Sequence, residues 1–196
     1  MKRFLVLIAL AVGIQAVSAA GRATEILEKL AAGFRAMPGY SVDFEVVAGD
    51  YNSRGSYVVE GRNYYLALAD AEVFADSVIR YEIDNRRREV VNTASRNILN
   101  NPVRAFDFLG SEYVPTLVSE AGGRAVVQLT PAAGNDSPAG NVTVTVDTAT
   151  MRPLSLSYDY DGEQVQVSVL GVAPLAGHVR VFDRQAYAGY EFIDFR

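Results

Sequence analysis

Cysteine and tryptophan are absent from the 196 residues, and histidine occurs once, at His178. Without cysteine there is no disulfide, no thiolate metal site and no thiol nucleophile. A single histidine excludes a zinc site built from two or three imidazoles. Lysine is also scarce: Lys2 and Lys29 stand against 16 arginines. Acids exceed bases, for a formal charge of −5, so nothing marks the chain as a binder of phosphate backbones, and no nucleic-acid partner is expected. Long low-complexity tracts are missing, and a hydrophobic fraction of 49% excludes a largely disordered chain. The length suits one domain.

The first twenty residues read as an export signal. Lys2 and Arg3 precede the apolar run Phe4–Val12, and small residues around Ala16–Ala20 supply a cleavage site after Ala19 or Ala20. The apolar run is shorter than the roughly 20 residues that span a bilayer. The expected organisation is a signal peptide at 1–20 and a single domain at 21–196, exported and periplasmic. No cysteine follows the signal, so an N-terminal lipidated cysteine is excluded.

Helical spacing of Ile26, Leu27, Leu30, Phe34 and Met37 predicts a helix over 24–37, capped by Thr24 and stopped by Pro38-Gly39. From Tyr40 the period becomes two: Tyr40, Val42, Phe44 and Val46 alternate with polar residues. Short strands separated by turns follow at 55–60, 64–69, 72–76, 78–83, 87–92, 113–120, 124–130, 141–147, 153–160 and 163–170. Asp161-Gly162 joins the last two as a hairpin turn. Shorter segments at 178–182 and 190–195 close the chain. Many short strands without alternating helices predict a mainly β (α+β) domain, an incomplete antiparallel β-barrel or strongly curved sheet. Residues 95–110 interrupt the strands: Asn101 caps and Pro102 opens a short apolar helix. That helix is either a permanent plug or a movable lid.

Chemistry is hard to find. His178 has no serine or acid at a motif spacing, and no nucleophile elbow, P-loop or dinucleotide fingerprint occurs. Asp159–Glu163 lacks most of a calcium loop's ligand series and reads as a hairpin turn. Asn135 and Asn141 fit the short glycosylation pattern, and Arg86-Arg87-Arg88 reads as a solvated cluster beside a turn. No catalytic residue, cofactor or metal site is expected, and the chain is not expected to be an enzyme. The distributed signal is stronger. Val42/Phe44/Val46, Val142/Val144/Val146, Ile79/Tyr81/Ile83, Val165/Val167/Val169 and Leu154/Leu156/Tyr158 form one-sided apolar rows. A curved sheet lined this way encloses either a packed core or a greasy cavity.

The order of parts resembles the periplasmic lipoprotein carriers of the LolA type and their Bacteroidota relatives, across essentially the whole mature chain. The resemblance rests on Ala23–Val46 and on Arg54-Gly55-Ser56-Tyr57 leading into Gly61-Arg62-Asn63-Tyr64-Tyr65. It continues through Phe74–Ile79, Asn101-Pro102-Val103 into Phe106, and Val127–Pro131, and ends on Phe182-Asp183 and Tyr187–Arg196. It implies a half-barrel with a helical lid that shields the acyl chains of lipoproteins bound for the outer membrane. Leu66, Leu68, Ile79, Tyr81, Val144 and Val167 would line the cavity, Val103, Phe106 and Leu109 would form the lid, and Arg62 would latch it. The implied partners are acylated lipoproteins, an inner-membrane releasing complex and an outer-membrane acceptor. A monomer is expected. The alternative is an exported lipid-sensing or protein-interaction domain of the same fold. The sequence departs from the family in lacking tryptophan and the usual Lys-Arg-Pro setting of the arginine.

Overall fold

A computed structural model describes residues 20–94, 112–134 and 140–196. Residues 1–19 of the expected signal peptide, the interrupting segment 95–110 with its expected lid residues Val103, Phe106 and Leu109, and residues 135–139 lie outside the described residues. Helix α1 occupies 20–35. The strands are β1 (Gly39–Ala48), β2 (Tyr51–Glu60), β3 (Asn63–Ala67), β4 (Ala71–Ala75), β5 (Ile79–Asp84), β6 (Glu89–Ala94), β7 (Tyr113–Ala121), β8 (Arg124–Pro131), β9 (Val142–Asp147), β10 (Arg152–Tyr160), β11 (Glu163–Pro174) and β12 (Glu191–Asp194). A 3₁₀ turn at Arg184–Tyr187 precedes β12.

The strands make one twelve-stranded sheet in the order β12-β6-β5-β4-β3-β2-β1-β11-β10-β9-β8-β7. β1 is the seam: it pairs with β2 on one side and β11 on the other. The sheet is an open, incomplete barrel, mainly β with one N-terminal helix, as its sequence pattern predicts. Its edges are β12 and β7. One pairing departs from the expected antiparallel pattern. β12 lies parallel to β6, Phe192 opposite Val90, because the 175–190 segment crosses the back of the sheet before the strand forms.

Bulges help to curl the sheet. The register shifts between Asp43 and Phe44 against β11, between Pro153 and Ser155, and between Leu117 and Ser119. Each extra residue increases local twist. The second bulge also re-aims a row: Pro153 opposes Val146 and fills the core, while Leu154 is the unpaired residue. At the Asp161-Gly162 turn both residues have positive φ, +52° and +82°, the geometry that keeps a two-residue hairpin in step with strand twist.

α1 is already helical at residue 20, four residues before its expected cap. The Thr24 hydroxyl donates to the Ala20 carbonyl one turn back, a mid-helix bond and not a cap. The helix buries Ala23, Ile26, Leu27, Leu30 and Phe34. Its two ends are fixed: the Arg22 guanidinium bonds Glu120 of β7 at 2.7 Å, and the Phe34 ring meets Tyr40 of β1 edge-on at 4.8 Å. The main core joins this helix to residues from β1–β4 and from β7–β9, so the sheet wraps around α1. A second, smaller core lies on the opposite face under the C-terminal segment.

Candidate functional site

The α1-bearing face is traced through the register. Tyr57, Leu66 and Val73 stand side by side on β2, β3 and β4, and Tyr57 opposes Val42 of the main core. Across β1, Val46, Val167, Leu156, Val144 and Val127 continue the same face. Leu68 joins them beside Phe44 over Gly55. Only glycine fits there: a Cβ would sit 2.5 Å from the Ala67 carbonyl oxygen and 2.8 Å from Phe44 Cζ.

This face has two parts. Under α1 it is solid core, with Val127, Val144 and Val146 wholly buried and Val42 and Val142 nearly so. Toward the β1–β2 and β10–β11 turns, Val46, Leu66, Leu68, Leu156, Tyr158, Val165 and Val167 are only half-buried. The tyrosines here stay neutral. Burial pushes the Tyr57 hydroxyl well above its ordinary range, and it also raises Tyr64 and Tyr158. The wall is therefore apolar and uncharged apart from the Arg80–Glu82 ion pair, Glu82 standing opposite Val73. Arg80 opposes Ala75, which opposes the buried Tyr64, so its guanidinium enters the same face with only 14% of the side chain exposed.

The six expected lining residues are not brought together. Leu66, Leu68, Val144 and Val167 share the α1-bearing face, though Val144 is sealed inside the core. Ile79 and Tyr81 lie on the opposite face. Tyr81 opposes Phe74 and Asn92, and Phe74 opposes Tyr65, one residue out of phase with the Leu66–Val73 row. A period-two pattern shows that a row is one-sided, but it does not show which side. Arg62 is an exposed residue in the β2–β3 hairpin turn, beside Gly61 at φ +62°. Arg80, which no sequence motif marks, is the arginine on the apolar face. Its one signal is an arginine inside an alternating strand, in phase with polar residues.

The opposite face is divided too. Across β8–β11 it carries rows of threonine, serine and glutamine, while across β2–β6 it is aromatic and covered by residues 175–196. Phe182 stacks on Tyr81 at 3.9 Å and on Tyr187 at 5.6 Å. Arg180 lies 4.5 Å from the centre of the Tyr65 ring. Glu72 ties this strap down: its carboxylate accepts the Tyr65 hydroxyl at 2.5 Å and the Tyr187 hydroxyl at 2.8 Å, with Arg180 Nη1 at 3.4 Å. Burial alone would raise the Glu72 carboxyl, but the two tyrosine bonds and the Arg180 charge outweigh it and hold it below its ordinary value. His178 belongs to this strap, bonding Glu60 at 2.8 Å while the Val179 N–H donates to the other carboxylate oxygen. A cleft of about 360 Å³ opens beside the strap, lined by Tyr81, Asn92, Phe182, Arg184 and Phe192, with the Asp194–Arg196 ion pair at its rim. Among the described residues no cluster of three metal-ligating side chains occurs, and no helix is long and apolar enough to cross a membrane.

No family model and no curated protein matches the chain. Solved structures do. An uncharacterized conserved protein from Thermus thermophilus superposes with a TM-score of 0.56 at 8% identity, covering 88% of this chain and 99% of that one. A LolA superfamily protein from Nitrosomonas europaea gives 0.41 at 13% identity, covering 84% and 96%. A putative outer membrane lipoprotein-sorting protein domain from Vibrio parahaemolyticus gives 0.46 at 12% identity, covering 87% and 97%. At 8% identity the likeness to the Thermus thermophilus protein is one of fold.

Proposed function

We propose that this chain is a non-enzymatic, exported carrier that shelters acyl chains of lipoproteins against the apolar face of its half-barrel. The observation that carries the reading is the division of that face. α1 fills one part as ordinary core, and beyond it a continuous, uncharged row through Leu66, Leu68, Val46 and Val167 is left half-buried. Each methylene moved from water onto such a wall gains about 0.8 kcal/mol, so a single acyl chain supplies enough driving force to leave water. A partly wetted wall also binds weakly enough to release its cargo, which a carrier requires. By its sequence resemblance to LolA-type carriers, and to their Bacteroidota relatives in particular, the cargo would be received from an inner-membrane releasing complex in the periplasm. It would be delivered to an outer-membrane acceptor.

The test is native mass spectrometry of the chain recovered from the envelope of its own source. Co-purifying lipid or acylated protein, lost on detergent washing, is the expected result. A lipid-free chain held in a stoichiometric complex with a non-acylated protein would replace the carrier with an interaction domain.

A further inference from the structure

Two buried side-chain polar atoms among the described residues have no hydrogen-bond partner: Tyr113 Oη and Arg80 Nε. Both belong to the α1-bearing face. Tyr113 is only 3% exposed and packs in the main core with Leu129 and Val142. Its parity along β7 matches Leu117, which opposes Val127. Arg80 enters the same face beside Tyr64, as described above. Its Nε lies 2.9 Å from Glu82 Oε1, yet the N–H is not aimed at that oxygen, so the pair is ionic and the donor is unused. Everywhere else the described side chains satisfy their buried polar atoms, including the three donors gathered on Glu72. Orphans in so apolar a setting are costly, since a buried unsatisfied group forfeits its hydration. They stand out as the two unused side-chain donors buried on this face among the described residues.

We infer that these donors select the chemistry of the cargo, and that the Tyr113 hydroxyl receives an ester carbonyl of a bound acyl group, with Arg80 Nε as a second donor of the same kind. This inference rests on the carrier reading and sharpens it. A hydrocarbon chain would satisfy the wall but neither donor. A free phosphate or other full anion suits a hydroxyl buried in core poorly, because the tyrosine offers no counter-charge. An acyl ester supplies a long apolar body and a neutral acceptor, which matches a long apolar wall interrupted by isolated donors. Arg80 keeps its charge balanced by Glu82 while using Nε.

The experiment compares methyl decanoate, labelled with ¹³C at the carbonyl, with undecane as binders of the full chain. The wild type and Tyr113→Phe are both tested. In the wild type the bound ester carbonyl resonance should move in the direction that hydrogen bonding produces, and the ester should bind more tightly than the alkane. Removing one neutral hydrogen bond should weaken the ester about three- to tenfold and leave the alkane unchanged. Free Tyr113→Phe should melt higher than free wild type, because it loses an unsatisfied hydroxyl. Weaker ester binding with a more stable free protein is a pair of effects that a purely structural tyrosine does not produce. Arg80→Lys, which keeps the charge and loses Nε, should weaken ester binding without affecting the alkane. Equal binding of ester and alkane, or a lower melting temperature for free Tyr113→Phe, overturns the inference and leaves the carrier standing. Failure of both ligands to bind the wild type overturns the carrier itself, and the ester selection with it.

Discussion

Glu72→Gln tests the strap that closes the back of the sheet. The substitution keeps the shape of the side chain and removes its charge. In the native protein one carboxylate accepts hydroxyls from Tyr65 at 2.5 Å and Tyr187 at 2.8 Å. A hydrogen bond to a charged acceptor contributes about 1.5–3 kcal/mol and a neutral one about 0.5–1.5, so each bond loses about 1 kcal/mol. Arg180 is 62% exposed, and its ion pair adds little. The total is about 2 kcal/mol, which for a domain of this size lowers the melting temperature by about 4–8 °C. The pH dependence is a second readout. The Glu72 carboxyl is held below its ordinary value in the folded state, so its contribution is fully present above the unfolded carboxylate range. It is lost as pH falls through the lower folded value. Thermal unfolding followed by circular dichroism should therefore show wild type and variant separated at neutral pH and converging in strong acid. Burial raises the Tyr65 hydroxyl to about 12, so the same strap should also lose stability as pH rises from about 10 toward that value. Equal melting temperatures at neutral pH would refute the account, as would a separation that persists unchanged in acid.

Gly55→Ala should cost about 2 kcal/mol in a denaturant titration, because its Cβ would meet the Ala67 carbonyl oxygen and the Phe44 ring on the apolar face. Gly33→Ala, on an open helix surface with nothing within 4 Å, should instead gain about 0.5 kcal/mol in the same titration. Arg62→Ala should change stability by less than about 0.5 kcal/mol and leave decanoate-ester binding unaltered, as befits an exposed turn residue. A clear loss of ester binding would return Arg62 to the functional set.

Local signals carried much of the architecture. Ile26, Leu27, Leu30 and Phe34 announce α1, because a helix buries one stripe at a period that no strand shares. Asp161-Gly162 announces its hairpin, because both positions demand positive φ. The alternation from Tyr40 onward marks β1, and repeated short strands mark a curved sheet. The sequence by itself therefore determined a mainly β fold with one N-terminal helix and apolar rows on its strands. It could not decide which face each row serves. Leu66 and Tyr81 look equivalent in an alternating pattern, yet they are separated by one step of phase across β3–β5, and that step depends on how strands far apart in the chain are registered. Nor could it show that Phe182, Tyr187 and Phe192 cross the back of the sheet to make β12 parallel to β6, since no local preference encodes a contact about a hundred residues away. The placement of Arg80 and Tyr113 belongs to the same class of fact. Composition counts an arginine and a tyrosine; only packing leaves their donors buried and unused on one face.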